Sequence, residues 1–147
     1  MAKNEKEGFQ YVLASTAAHE DLRCEVSDLT DGNVKAEGLS GEGNGTQWFG
    51  FYNNGTDESK ISAPNGVGYA IFDLGADYNV TAVCAALVYN AEWGITQMGD
   101  VKAYVSNDGE NWGESIGSLT PAETPVEGAT YWVVADTNAT GKFLKVE

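Results

Sequence analysis

The sequence predicts an all-β protein, an antiparallel jelly-roll β-sandwich of about eight strands. Three observations carry that expectation. Short apolar or alternating runs recur at close spacing along the chain, separated by clusters of Gly, Asn, Asp and Ser, which is how strands and turns read in sequence. No stretch holds a helical apolar period for more than two turns, and the βαβ alternation that a parallel sheet requires is absent. Eighteen glycines against three prolines suit a fold with many tight turns.

The elements follow in order. Residues 1–8 are polar and read as a frayed tail ahead of one domain spanning 9–147. Residues 9–13 read as a first strand, and residues 14–27 fit either a short helical turn or a long loop. Asp28-Leu29-Thr30-Asp31-Gly32-Asn33 is a turn cluster, because Asp and Asn bond their own backbone and tolerate positive φ. A glycine-rich loop at 35–45 leads to an aromatic strand at 47–52. Residues 53–66 form a second long loop.

A strand at 67–74 is closed by Gly75, and an uncharged strand follows at 80–89. The loop Asn90-Ala91-Glu92-Trp93-Gly94 separates it from an alternating strand at 101–106. Asp108-Gly109 lies between strand-like segments and reads as a hairpin turn. A weak strand at 113–119 precedes a loop at 120–128 that holds Pro121 and Pro125. The chain ends in a strand at 130–135, a turn at 136–141 and a last strand at 143–146.

Composition narrows the function. A net charge of −14 opposes binding to nucleic acid, whose phosphates need Lys and Arg, and opposes anionic membrane surfaces. No apolar run reaches the roughly 18 residues of a membrane span, and the polar start shows no signal peptide. Cys84 reads as a small buried hydrophobe within a strand; pairing with Cys24 is open from sequence. The chain has one histidine, His19, and no G-x-S-x-G, H-E-x-x-H or C-x-x-C pattern, so a non-enzyme is expected. Trp48, Trp112 and Trp132 lie in or beside strands and read as core. Asn-x-Thr sequons at Asn44, Asn54, Asn79 and Asn138 matter only for a chain secreted by a eukaryotic cell, and loops rich in Asn and Thr make such matches by chance.

Several of these segments carry a resemblance. Asp73-Leu74-Gly75, then an apolar strand, then Ser106-x-Asp108-Gly109-x-x-Trp112, resemble the coagulation factor 5/8 type C (discoidin) domain. That is the galactose-binding-like β-sandwich, which includes many family 32 carbohydrate-binding modules. Leu29-Thr30-Asp31-Gly32 with Thr46-x-Trp48 resembles the family's early "DG…T-x-W" region, and the ending Gly141-Lys142-Phe143-Leu144-Lys145-Val146-Glu147 resembles its "ARYVRVE" ending. The resemblance covers roughly residues 10–147.

The resemblance implies a structural calcium held by the side chains of Asp31, Thr46 and Glu147, with backbone carbonyls near Leu29 and Asn33. Carboxylates mixed with carbonyls in a tight turn are the oxygen donors calcium takes. The spacing departs from the family, because residues 35–45 must loop out between Asp31 and Thr46. The resemblance also implies a ligand site where three loops gather at one end of the sandwich, here residues 18–23, 90–94 and 136–140. A sugar site needs an aromatic face for the ring and polar groups for its hydroxyls. Trp93 is then the expected platform, with His19, Glu20, Arg23, Asn90, Glu92 and Asn138 as polar candidates.

The expected function is a non-catalytic carbohydrate-binding module, a monomer as an isolated domain, taken from a larger secreted or cell-surface glycan-processing protein. Its partners are a glycan and the linked domains of that parent. A protein-interaction or adhesion module of the same fold is the alternative.

Overall fold

The computed structural model describes residues 11–15, 29–30, 67–93, 95 and 100–147. Five strands occur among them: β1 (Tyr11–Ser15), β2 (Ala70–Val88), β3 (Val101–Ser106), β4 (Gly117–Pro121) and β5 (Thr130–Val146). All five join one antiparallel sheet in the order β1-β2-β5-β3-β4. No α-helix occurs among the described residues. The expected strand at 47–52 lies outside them.

The sheet is organised by one long pair. β2 and β5 run antiparallel from Ala70↔Val146 to Val88↔Thr130. The sequence reading divides each of these strands in two, and the structure corrects both divisions. In β2, Gly75 bulges the strand rather than ending it. Its φ is +81°, a conformation open to glycine, and its N–H donates to Asp73 Oδ1 at 2.8 Å. The register slips between Asp73 and Tyr78, and again between Val80 and Ala82. In β5, residues 136–141 are strand, not turn: Tyr78 faces Gly141, Asn79 faces Thr140 and Val80 faces Ala139. Thr137 Oγ1 donates to the Val80 carbonyl at 2.6 Å, satisfying a backbone acceptor at the second slip.

The slips explain why simple alternation fails. In β2 the core-packed positions move from even (Phe72, Leu74, Tyr78, Val80) to odd (Val83, Ala85, Leu87). In β5 they move from odd (Tyr131, Val133, Ala135) to even (Leu144, Val146). A bulge shifts side-chain phase by one residue, so each strand stays seated on one core while its sequence changes step.

β4 completes the core by serving two neighbours. Gly117 to Leu119 pairs with β3, and Thr120 and Pro121 pair with β5 at Val134 and Val133. Leu119, Val101, Ala103, Tyr131, Val133 and Ala135 are thereby gathered into one buried cluster with Leu74, Val83 and Leu144. Each fully buried Leu or Val contributes about 1.5–3 kcal/mol relative to exposure. Pro121 is tolerated because it closes β4, where a missing N–H costs no ladder bond.

The tryptophan expectation is corrected in part. Trp132 alternates with buried Tyr131 and Val133 and so points to the opposite face, half-buried. It shares that face with Cys84, Ala86, Val88 and Val134, so this half of the sheet is apolar on both sides. Cys84 is a free thiol, only half-buried. Trp112 also lies outside the core cluster, and Trp48 lies outside the described residues.

The Ser106–Trp112 segment carries architecture. The Asp108 carboxylate accepts from Ser106 Oγ at 2.8 Å, from the N–H groups of Glu110 and Asn111 at 2.9 and 2.8 Å, and from Asn111 Nδ2 at 2.7 Å. These bonds, led by the Asn111 N–H, hold the Asp108 carboxyl well below the usual aspartate range. A carboxyl depressed in the folded state stabilises above its unfolded pKa, and that contribution fades as pH falls below about 4. Asp108→Asn should therefore lower the melting temperature by a constant amount between pH 5 and 8. The difference from the parent should narrow on acidification below about pH 4. A difference that does not change with pH would contradict this role.

Candidate functional site

Beyond Val88 the chain is held close to the start of β5. Asn90 and Ile95 form a two-bond bridge, each N–H donating to the other's carbonyl at 2.8 Å. The 3-10 turn Ala91–Trp93 sits inside that bridge. A second loop, residues 122–129, is tied to the first. The Gly128 N–H donates to the Tyr89 carbonyl at 2.8 Å, and the Ala129 N–H closes on the Val126 carbonyl at 3.0 Å. The Ala91 N–H donates to Glu127 Oε2 at 3.2 Å. The result is a pinned pair of loops at one end of the β2–β5 pair. Glu92, Glu127 and Val126 are exposed there and Asn90 is half-buried; Val126 reaches 64%.

The expected ligand residues divide accordingly. Asn90, Glu92 and Trp93 are brought together by the bridge and its turn. Asn138 is not with them. It lies within β5, eight residues beyond Thr130, which at about 3.3 Å per residue is roughly 26 Å along the strand. The expected loop at 136–140 does not exist, because pairing with β2 overrides the local turn preference of Asp, Asn and Gly. The loop that precedes the last strand is 122–129 instead, since that strand begins at Thr130. Glu127 and Val126 are therefore members of this end that sequence reasoning missed. The two prolines at 121 and 125 were their one signal. His19, Glu20 and Arg23 lie outside the described residues.

The expected calcium ligands divide as well. Asp31, Asn33 and Thr46 lie outside the described residues, and Leu29 is 38% exposed. Glu147 is described, and its carboxylate is engaged. Lys145 Nζ sits 2.6 Å from Oε2, and the Tyr104 hydroxyl donates to Oε1 at 3.0 Å. Lys145 holds the Glu147 carboxyl below its ordinary range. As placed, the Glu147 carboxylate is partnered by a lysine ammonium and a phenol hydroxyl. No group of three or more His, Cys, Asp or Glu side chains placed to hold a metal occurs among the described residues.

The Lys145 cluster has a different role. Its ammonium lies 4.4 Å from the Tyr104 ring centre and 5.3 Å from that of Trp112, within cation–π range. Burial and the neighbouring Glu147 push the Tyr104 hydroxyl up. Tyr104 and Lys145 are register partners, so the cluster fastens the 107–116 connection onto the outer face of the sheet.

Comparison with protein-family models, curated proteins and solved structures gives no match. The class that fold and site define is therefore an antiparallel β-sheet protein with a pinned two-loop end, and the discoidin resemblance stands on its quoted motifs alone.

Proposed function

We propose that the chain is a non-catalytic carbohydrate-binding module of a larger secreted or cell-surface glycan-processing protein, taking a glycan at the loop end of the β2–β5 pair. The observation that supports it is the mutual fixing of residues 89–91 and 126–129 by main-chain and Glu127 hydrogen bonds, with Asn90 bridged to Ile95. Such fixing holds Asn90 and the exposed Glu92 on a preformed frame, which limits the ordering cost of binding. Trp93 sits on the same turn and is the proposed platform for the sugar ring. Calcium is not needed for this reading.

A second, opposing layer of the fold belongs to the same proposal. The half of the sheet around Cys84, Ala86, Trp132 and Val134 is apolar on both faces, which is the pattern of a sheet covered on both sides. The alternative function, a protein-interaction or adhesion module, draws on exposed Val126.

Galactose and N-acetylglucosamine oligosaccharides, titrated into the protein after a glycan-array screen, test the reading. Trp93→Ala should weaken binding by about tenfold or more, equivalent to about 1.4 kcal/mol, with the melting temperature unchanged. The absence of any glycan binding at millimolar ligand would transfer the assignment to the adhesion alternative.

A further inference from the structure

We infer that the exposed stretch of the β2–β5 ribbon at residues 79–81 and 138–140 is a modification site, with Asn79 and Asn138 as acceptors of N-linked glycans. The inference rests on the secreted reading of the chain, taken as secretion by a eukaryotic cell, and is independent of whether the loop end binds sugar.

Composition gives the first argument. Eleven asparagines and eleven threonines in 147 residues produce about one Asn-x-Thr by chance, the pattern being an acceptor sequon. Four occur, and all four end in Thr rather than Ser. Two of the four, Asn79-Val80-Thr81 and Asn138-Ala139-Thr140, lie in strands.

Geometry gives the second. The two sequons face each other across the ribbon, Asn79 opposite Thr140 and Val80 opposite Ala139. Val80 packs against the core, so its neighbours Asn79 and Thr81 point away from it. Asn138 and Thr140 flank Ala139 in the same way, and all four side chains are exposed. Diagonal same-face neighbours in such a pair sit about 7–8 Å apart, so the acceptors form one patch. β1 reaches only Asp73, β3 begins pairing at Phe143 and β4 touches only Val133 and Val134. Among the described residues, no further strand pairs with the ribbon at the patch.

The reaction needs a lipid-diphosphate-linked oligosaccharide and its transferase. Asn Nδ2 forms a C–N bond to the anomeric carbon and gives up one proton. The anomeric C–O bond breaks and the lipid diphosphate leaves, with no change of oxidation state. In the extended backbone at each sequon the Thr side chain shares a face with its Asn.

The test is leader-directed secretion of the whole chain from a eukaryotic cell. Amidase removal of N-glycans in heavy-oxygen water is followed by peptide mapping. Heavy-oxygen aspartate is expected at positions 79 and 138. Each label should vanish in Asn79→Gln or Asn138→Gln respectively, and in Thr81→Ala or Thr140→Ala with the asparagine retained. Label at neither position, in chain recovered from the medium or the secretory lumen, overturns the inference, whatever happens at Asn44 and Asn54.

Discussion

Gly141→Ala is expected to destabilise the protein by about 2–3 kcal/mol, the cost of forcing a methyl group into a closed backbone contact. Gly141 is buried in β5 where that strand passes β3. A Cβ there would stand 2.8 Å from Val105 Cβ, 3.1 Å from the Ser106 carbonyl oxygen and 3.2 Å from the Ser106 nitrogen. Two of those three atoms are main chain and cannot rotate aside. Ser106 is itself fixed, because its Oγ accepts from the N–H groups of Asp108 and Gly109 at 3.2 and 3.0 Å. Relief therefore requires moving β3 and its following turn together. For a domain of this size the loss corresponds to a fall of roughly 5–10 °C in melting temperature. An unchanged transition would mean that β5 does not cross β3 so closely.

Tyr131→Ala should cost more, about 3–5 kcal/mol, in the range for truncating a large buried aromatic. Tyr131 is 2% exposed and opens the buried series Tyr131, Val133 and Ala135 on β5. It is register partner to Leu87 and belongs to the cluster that β4 closes with Leu119. Truncation leaves a cavity within that cluster, beside the β2–β5 pair at Leu87. Urea unfolding measures the effect as a lower midpoint with little change in slope. Val126→Ala is the control: Val126 is exposed, and such substitutions stay within about 0.5 kcal/mol. Equal losses at the two positions would contradict the placement of the core.

Much of the sheet was legible in the sequence because its strands alternate or run apolar over five or more residues. The run from Val101 to Ser106 is the clearest case, with Val101, Ala103 and Ser106 buried. What was not legible was continuity. Gly75 within β2 and Asp136–Gly141 within β5 are residues that elsewhere make turns, and the pairing of β2 with β5 on either side of them keeps each strand continuous. For residues 136–141 the partner is 78–82, whereas Gly75 itself lies in the slip between Asp73 and Tyr78; both are long-range effects which no local window contains. The candidate site inherited the error: with β5 divided, Asn138 was placed in an end loop, while Glu127 and Val126 were passed over. The interruption at residues 90–93 was legible as a break between strands because a short polar stretch after an uncharged strand is a local signal. Trp112 and Trp132 show a further limit, since strand propensity does not say which face of a sheet a tryptophan takes.

The most direct measurement is backbone amide chemical-shift mapping during titration with the best-binding oligosaccharide. Glycan binding at the pinned loops predicts shifts concentrated at residues 89–95 and 122–129, with residues 136–140 silent and protected from hydrogen exchange as strand amides. Shifts centred on residues 136–140, or amides there that exchange as an open loop, would contradict both the continuous β5 and the site built on it.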